Sequence, residues 1–221
     1  MLEQIATGFG SFPVHEPPVA FQQNQTLSAA SDDPVPTAIS GLSIQFQPGA
    51  MVSAPLFYAS ASQANIQIPW ELAGQTEVSI SAAINGNKGK AQILKVSPFA
   101  SGIFTVNGQG TGQGSIVDAS YRIVDQSNPA QAGNVIQVFR TGLGAVTDPP
   151  KTGEAASSTK LSATTTTPTV SIGGIQDKVL FSGLAPGTVG EYQVNSQVPP
   201  GITAADSVPV RFQSVGAIQT Q

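Results

Sequence analysis

At 221 residues, with 10% charged side chains and a net charge of −4, the chain can form one large β domain or two of about 100 residues each. Its nine lysines and arginines form no cluster, which excludes nucleic acid as a partner, because phosphate binding needs a basic stripe. Cysteine is absent, so disulfides, thiolate nucleophiles and cysteine zinc sites are excluded, and no apolar run approaches the roughly 20 residues that cross a bilayer. The opening MLEQIATGFG lacks the basic region and apolar core of a signal peptide. Thr, Ser, Gln, Asn and Gly replace the missing charges, giving a neutral, hydrogen-bonding surface.

Taken in order, residues 4–9 predict a short strand, and the polar, Pro-rich residues 13–36 a surface loop. Leu42, Ile44 and Phe46 alternate with polar residues. Successive strand side chains point to opposite faces, so this period implies one buried face. Leu56-Phe57-Tyr58 and residues 65–69, with Ile66 and Ile68 inward, add two strands. Val78, Ile80, Ala82 and Ile84 alternate cleanly; Asn85-Gly86 then signals a hairpin, with residues 91–96 as its return strand. Ser97-Pro98 and Ala100-Ser101-Gly102 mark a boundary. Beyond it, strands are expected at 103–106, 115–117, 121–124 and 135–139, with a Gly-rich loop at 108–114 and a turn at 125–133. Residues 147–167 read as a long exposed loop with little stable structure. The densest strand signal follows: Val170 and Ile172 on one face, Tyr192, Val194, Ser196 and Val198 on another, then Val208, Val210 and Phe212. Gly173-Gly174, Pro186-Gly187 and Pro199-Pro200-Gly201 punctuate these runs. No segment sustains a helical period.

The order strand, long loop, strand, Leu-Phe strand and Gln-apolar-Pro strand end occurs twice. Phe9 corresponds to Phe139, Leu42-Ser43-Ile44 to Val170-Ser171-Ile172, Leu56-Phe57 to Leu180-Phe181, Gln67-Ile68-Pro69 to Gln197-Val198-Pro199, and Val78 and Ile80 to Val208 and Val210. A repeat of this length means two copies of one supersecondary unit. The expected fold is all-β: two tandem immunoglobulin-like β-sandwiches at residues 1–98 and 99–221.

Few residues offer chemistry. His15 is the only histidine and sits beside Glu16 in a Pro-rich loop; a general base needs an orienting group across a pocket, and Glu16 is merely adjacent in sequence. One histidine and no cysteine leave no zinc site, and Asp32-Asp33 lacks the calcium-loop pattern, so no metal and no cofactor are expected. Asp118, Asp125 and Glu191 are the carboxylates a hydrolase of glycosides or esters would use near the domain junction, with His15 as a fourth candidate. Glycoside hydrolysis needs two carboxyl groups roughly 5–10 Å apart. The glycines at 108–114 precede no helix, so they are no dinucleotide fingerprint. Trp70 is the only tryptophan; with Tyr58 and Glu71 it could form a sugar-stacking platform, or it packs at the junction with its N–H on a nearby carbonyl.

Four stretches carry a family resemblance: APLFYASASQANIQIPWELAG (54–74), GIFTVNGQGTGQGSI (102–116), NPAQAGNVIQVFRTGLGAV (128–146) and PTVSIGGIQDKVLFSGLAPGTVGEYQVNSQVPPGI (168–202). In these the chain resembles the repeated C-terminal domain of secreted acidobacterial proteins of the Solibacter type. The resemblance implies immunoglobulin-like, TIG-like sandwiches, an extracellular or cell-surface setting within a longer exported protein, and no assigned catalytic residues. It also implies a strand preceding the position of Gln4, which this chain begins too late to contain. The first sandwich would then have an open edge, for residues 19–27 or a second copy to fill. The functional expectation is a non-catalytic extracellular module for adhesion, assembly or carbohydrate contact, with polysaccharide or a cell-surface protein as partner and homodimerisation through the open edge.

Overall fold

The structure is a computed structural model that describes residues 5–8, 27–28, 33–60, 63–214 and 217–220. Ten strands belong to the N-terminal half: β1 (Ile5–Gly8), β2 (Leu27–Ser28), β3 (Ala38–Ile39), β4 (Leu42–Gln47), β5 (Val52–Ser53), β6 (Leu56–Ala59), β7 (Ala64–Gln67), β8 (Glu77–Ile84), β9 (Asn87–Lys88) and β10 (Gln92–Lys95). Nine belong to the C-terminal half: β11 (Gly102–Ile103), β12 (Ile116–Asp118), β13 (Val135–Thr141), β14 (Thr169–Ile172), β15 (Ile175–Gln176), β16 (Lys178–Leu184), β17 (Tyr192–Gln197), β18 (Val210–Ser214) and β19 (Ala217–Thr220). The expected all-β class holds: among the described residues there is no α-helix, only a single-turn 3-10 element at Trp70–Leu72.

No sheet mixes the halves. One pair of sheets has the orders β1-β7-β6-β2 and β10-β8-β4-β3; the other has β11-β13-β17-β16 and β15-β14-β18-β19. Period-two burial makes each pair a stacked layer. Ile44, Phe46 and Val78 meet Leu56, Ala59 and Ile66 in the first core; Val170, Ile172, Val210 and Phe212 meet Ile136, Val138, Tyr192 and Val194 in the second. Burying one such large aliphatic side chain stabilises by roughly 1.5–3 kcal/mol, so these faces dominate folding. The hairpin signal is correct: Asn85 and Gly86 take positive φ of 50° and 82°, and Ile84 pairs with Asn87.

The two halves share a strand register. Ile5 faces Gln67 as Val135 faces Gln197, a spacing that also equates Phe9, outside the described residues, with Phe139. Ile80 faces Phe46 as Val210 faces Ile172. Two sequence matches slip. A bulge lies at Phe57 in β6 and at Leu180 in β16, so Phe57 corresponds to Leu180 rather than to Phe181. Ile44 and Phe46, not Leu42 and Ile44, correspond to Val170 and Ile172; a two-residue slip keeps the same face inward and leaves the apolar pattern unchanged.

Three local expectations fail. Residues 121–124 form no strand: Tyr121 has a φ of 59° and only Ile123 bridges, to Val117, because Asp118 closes a turn there. The return strand after Asn85-Gly86 is split into β9 and β10, with Gly89 donating to the Ala82 carbonyl at 2.8 Å between them. Residues 147–167 are not a loose loop. Ala156 lies in the second core, Ser162 and Thr164 are buried, and Thr164 donates to Ser182 Oγ at 2.9 Å.

Candidate functional site

The sequence candidates fall at separate places. Asp118 and Asp125 come together at the turn after β12. Asp118 accepts from the backbone of Ser120 at 2.8 Å and Arg122 at 3.0 Å, from Arg122 Nε at 2.9 Å and from Asn128 Nδ2 at 3.1 Å. Asp125 accepts from Ser127 Oγ at 2.7 Å and from the Asn128 N–H at 3.0 Å, so Asn128 joins the two turns. The Arg122 backbone N–H, with further donors, holds the Asp118 carboxyl down at about 2, and the Ser127 hydroxyl does the same in direction for Asp125. Two carboxylates saturated with donors hold turns; neither can act as a general acid.

Glu191 has the opposite character. Burial, with no hydrogen bond to offset it, raises its carboxyl to about 7. It precedes Tyr192, which faces Arg140, whereas Asp118 faces Ile136. Five residues of strand therefore separate Glu191 from Asp118, about 17 Å at ~3.4 Å per residue. That exceeds the spacing for paired glycosidase carboxyls. Glu191 adjoins the junction of the halves, through Gly190; Asp118 and Asp125 lie at the other end of the sheet, contrary to the expectation that all three sit near the junction. His15 lies outside the described residues.

Trp70 is 7% exposed and belongs to the C-terminal core, although it follows β7 of the N-terminal half. Its backbone N–H donates to Thr152 Oγ1 at 3.0 Å, and Thr152 donates to the exposed Glu71 carboxylate at 2.7 Å. The indole Nε1 is buried without a hydrogen-bond partner, against the expectation of a nearby carbonyl. The sugar platform is not assembled. Trp70 offers no open face, and half-buried Tyr58 pairs with Asn65 near the start of β7, whereas Trp70 lies beyond the other end of that strand in the 3-10 turn.

The junction also uses residues that carry no sequence motif. The Gly153 N–H donates to buried Gln67 Oε1 at 2.7 Å, and its carbonyl accepts from the Val35 N–H at 2.8 Å. Gly153 has a φ of +90°, and a Cβ there would sit 3.4 Å from Pro55 Cγ. Gly190 has a φ of +68°, and its Cβ would meet Gln67 Cγ at 3.3 Å. Both positions need glycine for their positive φ, and Gly190 also for its tighter approach to Gln67. The Ala155 N–H donates to Asp33 at 3.1 Å.

A fully buried cation lies in the second core. Arg140 Cζ stands 3.8 Å from the Phe212 ring centroid, and Nη2 donates to Ser101 Oγ, while Nε and Nη1 have no partner. Burial lowers the guanidinium to about 9. The signal was present in the sequence: Ile136, Val138 and Arg140 share one face of β13. Among the described residues, no group of three or more His, Asp or Glu side chains could hold a metal ion, and no helix is long and apolar enough to cross a membrane. No family model matches the chain, and no curated protein and no solved structure matches it either.

Proposed function

We propose that the chain is two tandem immunoglobulin-like sandwiches, about residues 1–98 and 99–221, serving as a non-catalytic extracellular module that assembles with a second copy of itself. One contrast supports the assembly. β13 is flanked by β17 on one side and by β11 and β12 on the other. Its counterpart β1 pairs with β7 and, among the described residues, with no other strand. The Phe139 N–H donates to the Ser115 carbonyl at 3.1 Å, and the Phe139 carbonyl accepts from Phe104 at 3.1 Å. Backbone direction alternates along an antiparallel strand, so Val135 and Gln137 face the same way as Phe139. Their counterparts Ile5 and Thr7 then turn donors and acceptors toward the unpaired side of β1, which is a template for another strand. Edge-to-edge pairing of two identical strands closes as a two-fold dimer. The resemblance to the secreted acidobacterial domain and the neutral, amide-rich composition favour an exported setting, facing polysaccharide or a cell-surface protein.

The test is Thr7→Pro. Proline removes an outward-facing N–H and leaves the β1–β7 bonds, which use Ala6 and Gly8, intact. Light scattering across a concentration series should give a dimer for the wild type and a monomer for the variant, with unchanged circular dichroism. A wild-type chain that is monomeric at every concentration removes the proposal.

A further inference from the structure

One end of the second core differs in kind from the same end of the first. The Asp177 N–H donates to the Val170 carbonyl at 2.9 Å, as the Ala54 N–H donates to Ile44 at 2.9 Å. Asp177 is therefore the counterpart of Ala54, and Ser196, before Gln197, is the counterpart of Ile66, before Gln67. Ala54 and Ile66 are 0% and 5% exposed and seal the first core with apolar atoms. In the second core, both Asp177 carboxylate oxygens and the Ser196 hydroxyl are closed off from water and have no hydrogen-bond partner. Burial raises the Asp177 carboxyl; the Ser196 hydroxyl approaches closely enough to oppose this, yet falls short of hydrogen-bond geometry. Lys178, the next residue, is exposed and lines the same cleft, and among the described residues Asp177 forms no ion pair with it or with any other cation.

A buried carboxylate without a donor is costly. The fold does not force that cost, because Ala54 and Ile66 seal the equivalent place in the N-terminal half with apolar atoms. Asp177 also lines a cleft of about 640 Å³ whose apolar walls are Ala132, Val198, Pro199 and Pro200. That volume suits a small ligand or the end of a side chain. Gln197, at the rim, is tied to the Gly133 carbonyl at 3.2 Å.

We propose that this cleft binds the end of an aliphatic primary ammonium, either a free alkylamine or the lysine side chain of a partner, with Asp177 as its counter-ion. A carboxylate is acceptor-only, and an ammonium brings three donors. The methylenes lie along the valine and proline walls while the charged head reaches Asp177. Both carboxylate oxygens are sealed from water, so binding requires the Asp177 side chain to turn away from Ser196 toward the cleft, a change between staggered wells. The site is independent of the β1 edge and stands whether or not the chain dimerises.

The experiment is a titration of the isotope-labelled full chain with n-pentylammonium, with Nα-acetyl-lysine methylamide and with n-pentanol as the neutral isostere, followed by amide chemical shifts. Saturable shifts at Gln176, Asp177, Lys178, Gln197 and Val198 are expected for both amines, at least tenfold weaker in Asp177→Asn. Asp177→Ala, which restores the residue of the first copy, should also lose binding and serves if the amide variant folds poorly. Equal affinities for the two amines assign the ligand to a partner's lysine as readily as to a free amine; binding of n-pentylammonium alone assigns it to the free amine. n-Pentanol binding as tightly as n-pentylammonium, an undiminished affinity in Asp177→Asn, or no saturable shift would each overturn the site.

Discussion

Ala54 and Asp177 hold the same backbone position in two copies of one strand plan, yet one seals a core and the other buries a carboxylate. Ile66 and Ser196 repeat the contrast one strand away. The difference teaches that register and face are inherited by the backbone, while each inward position remains free to trade stability for polarity. The second copy has made that trade repeatedly: Arg140, Asp177, Glu191 and Ser196 all place polar atoms inside or at the end of its core. The first copy is more uniformly apolar inside and lends the second a tryptophan.

That loan gives the largest expected effect. Trp70→Ala should cost about 3–5 kcal/mol, as for other large aromatic truncations in a core. Because Trp70 packs in the second core, the loss should fall on the half that does not contain it in sequence. Leu72, two residues on, is fully buried in the first core, so Leu72→Ala is the matched control. Hydrogen exchange should show lost protection in β13 and β17 for Trp70→Ala, and in β4 and β8 for Leu72→Ala. Lost protection confined to the N-terminal strands in both variants would break the comparison.

Exchanging the residues between copies should cost slightly less. Ala54→Asp installs an unpaired carboxylate at a fully buried position of the apolar core that includes Leu56, Ile66 and Ile68, and should destabilise by about 4 kcal/mol, the scale of an uncompensated buried charge. Denaturant unfolding measures it. A cost below about 1 kcal/mol would mean that this end of the first sandwich is as open as the cleft beside Asp177.

Much of this was legible in sequence because it is periodic. Alternation at Val170 and Ile172 and at Tyr192 to Val198, and the Asn85-Gly86 turn, follow from local geometry alone. The likeness of the two halves was legible too, but the register that relates them was not. Slipping Val170 from Ile44 to Leu42 preserves the face, and only the bulges at Phe57 and Leu180, which no residue type announces, fix the count. Residues 147–167 misled because Ser and Thr are as suited to buried hydrogen bonds as to water. Their partners, Gln67, Glu71 and Ser182, are far away in sequence or in the other half. Of the two readings open for Trp70, a sugar platform or packing at a junction, the buried side chain fits packing, but its indole N–H has no carbonyl beside it. The Asp177 position became readable only through alignment with Ala54, which needed the hydrogen bond to Val170.

The last contrast separates the halves by pH. Glu191 and Asp177 sit at opposite ends of the second core, and burial raises both carboxyls. For Glu191 the folded value, about 7, lies above its ordinary 4.5, so between these values the folded state holds a proton the unfolded state has lost. Stability is then full below 4.5, falls as pH rises, and stops falling once the folded carboxyl has ionised above about 7. The shift corresponds to about 3 kcal/mol between pH 4.5 and 8. Denaturant unfolding of the wild type should show this loss, localised by hydrogen exchange to the C-terminal strands. Glu191→Gln should remove most of it, because the amide cannot ionise. Burial raises the Asp177 carboxyl in the same direction, so adding Asp177→Asn should remove any slope of that sign that remains. Wild-type stability that is flat across this range would sink the idea that the second copy buries acidic groups at its ends. A slope unchanged by Glu191→Gln would move the burden to another carboxyl.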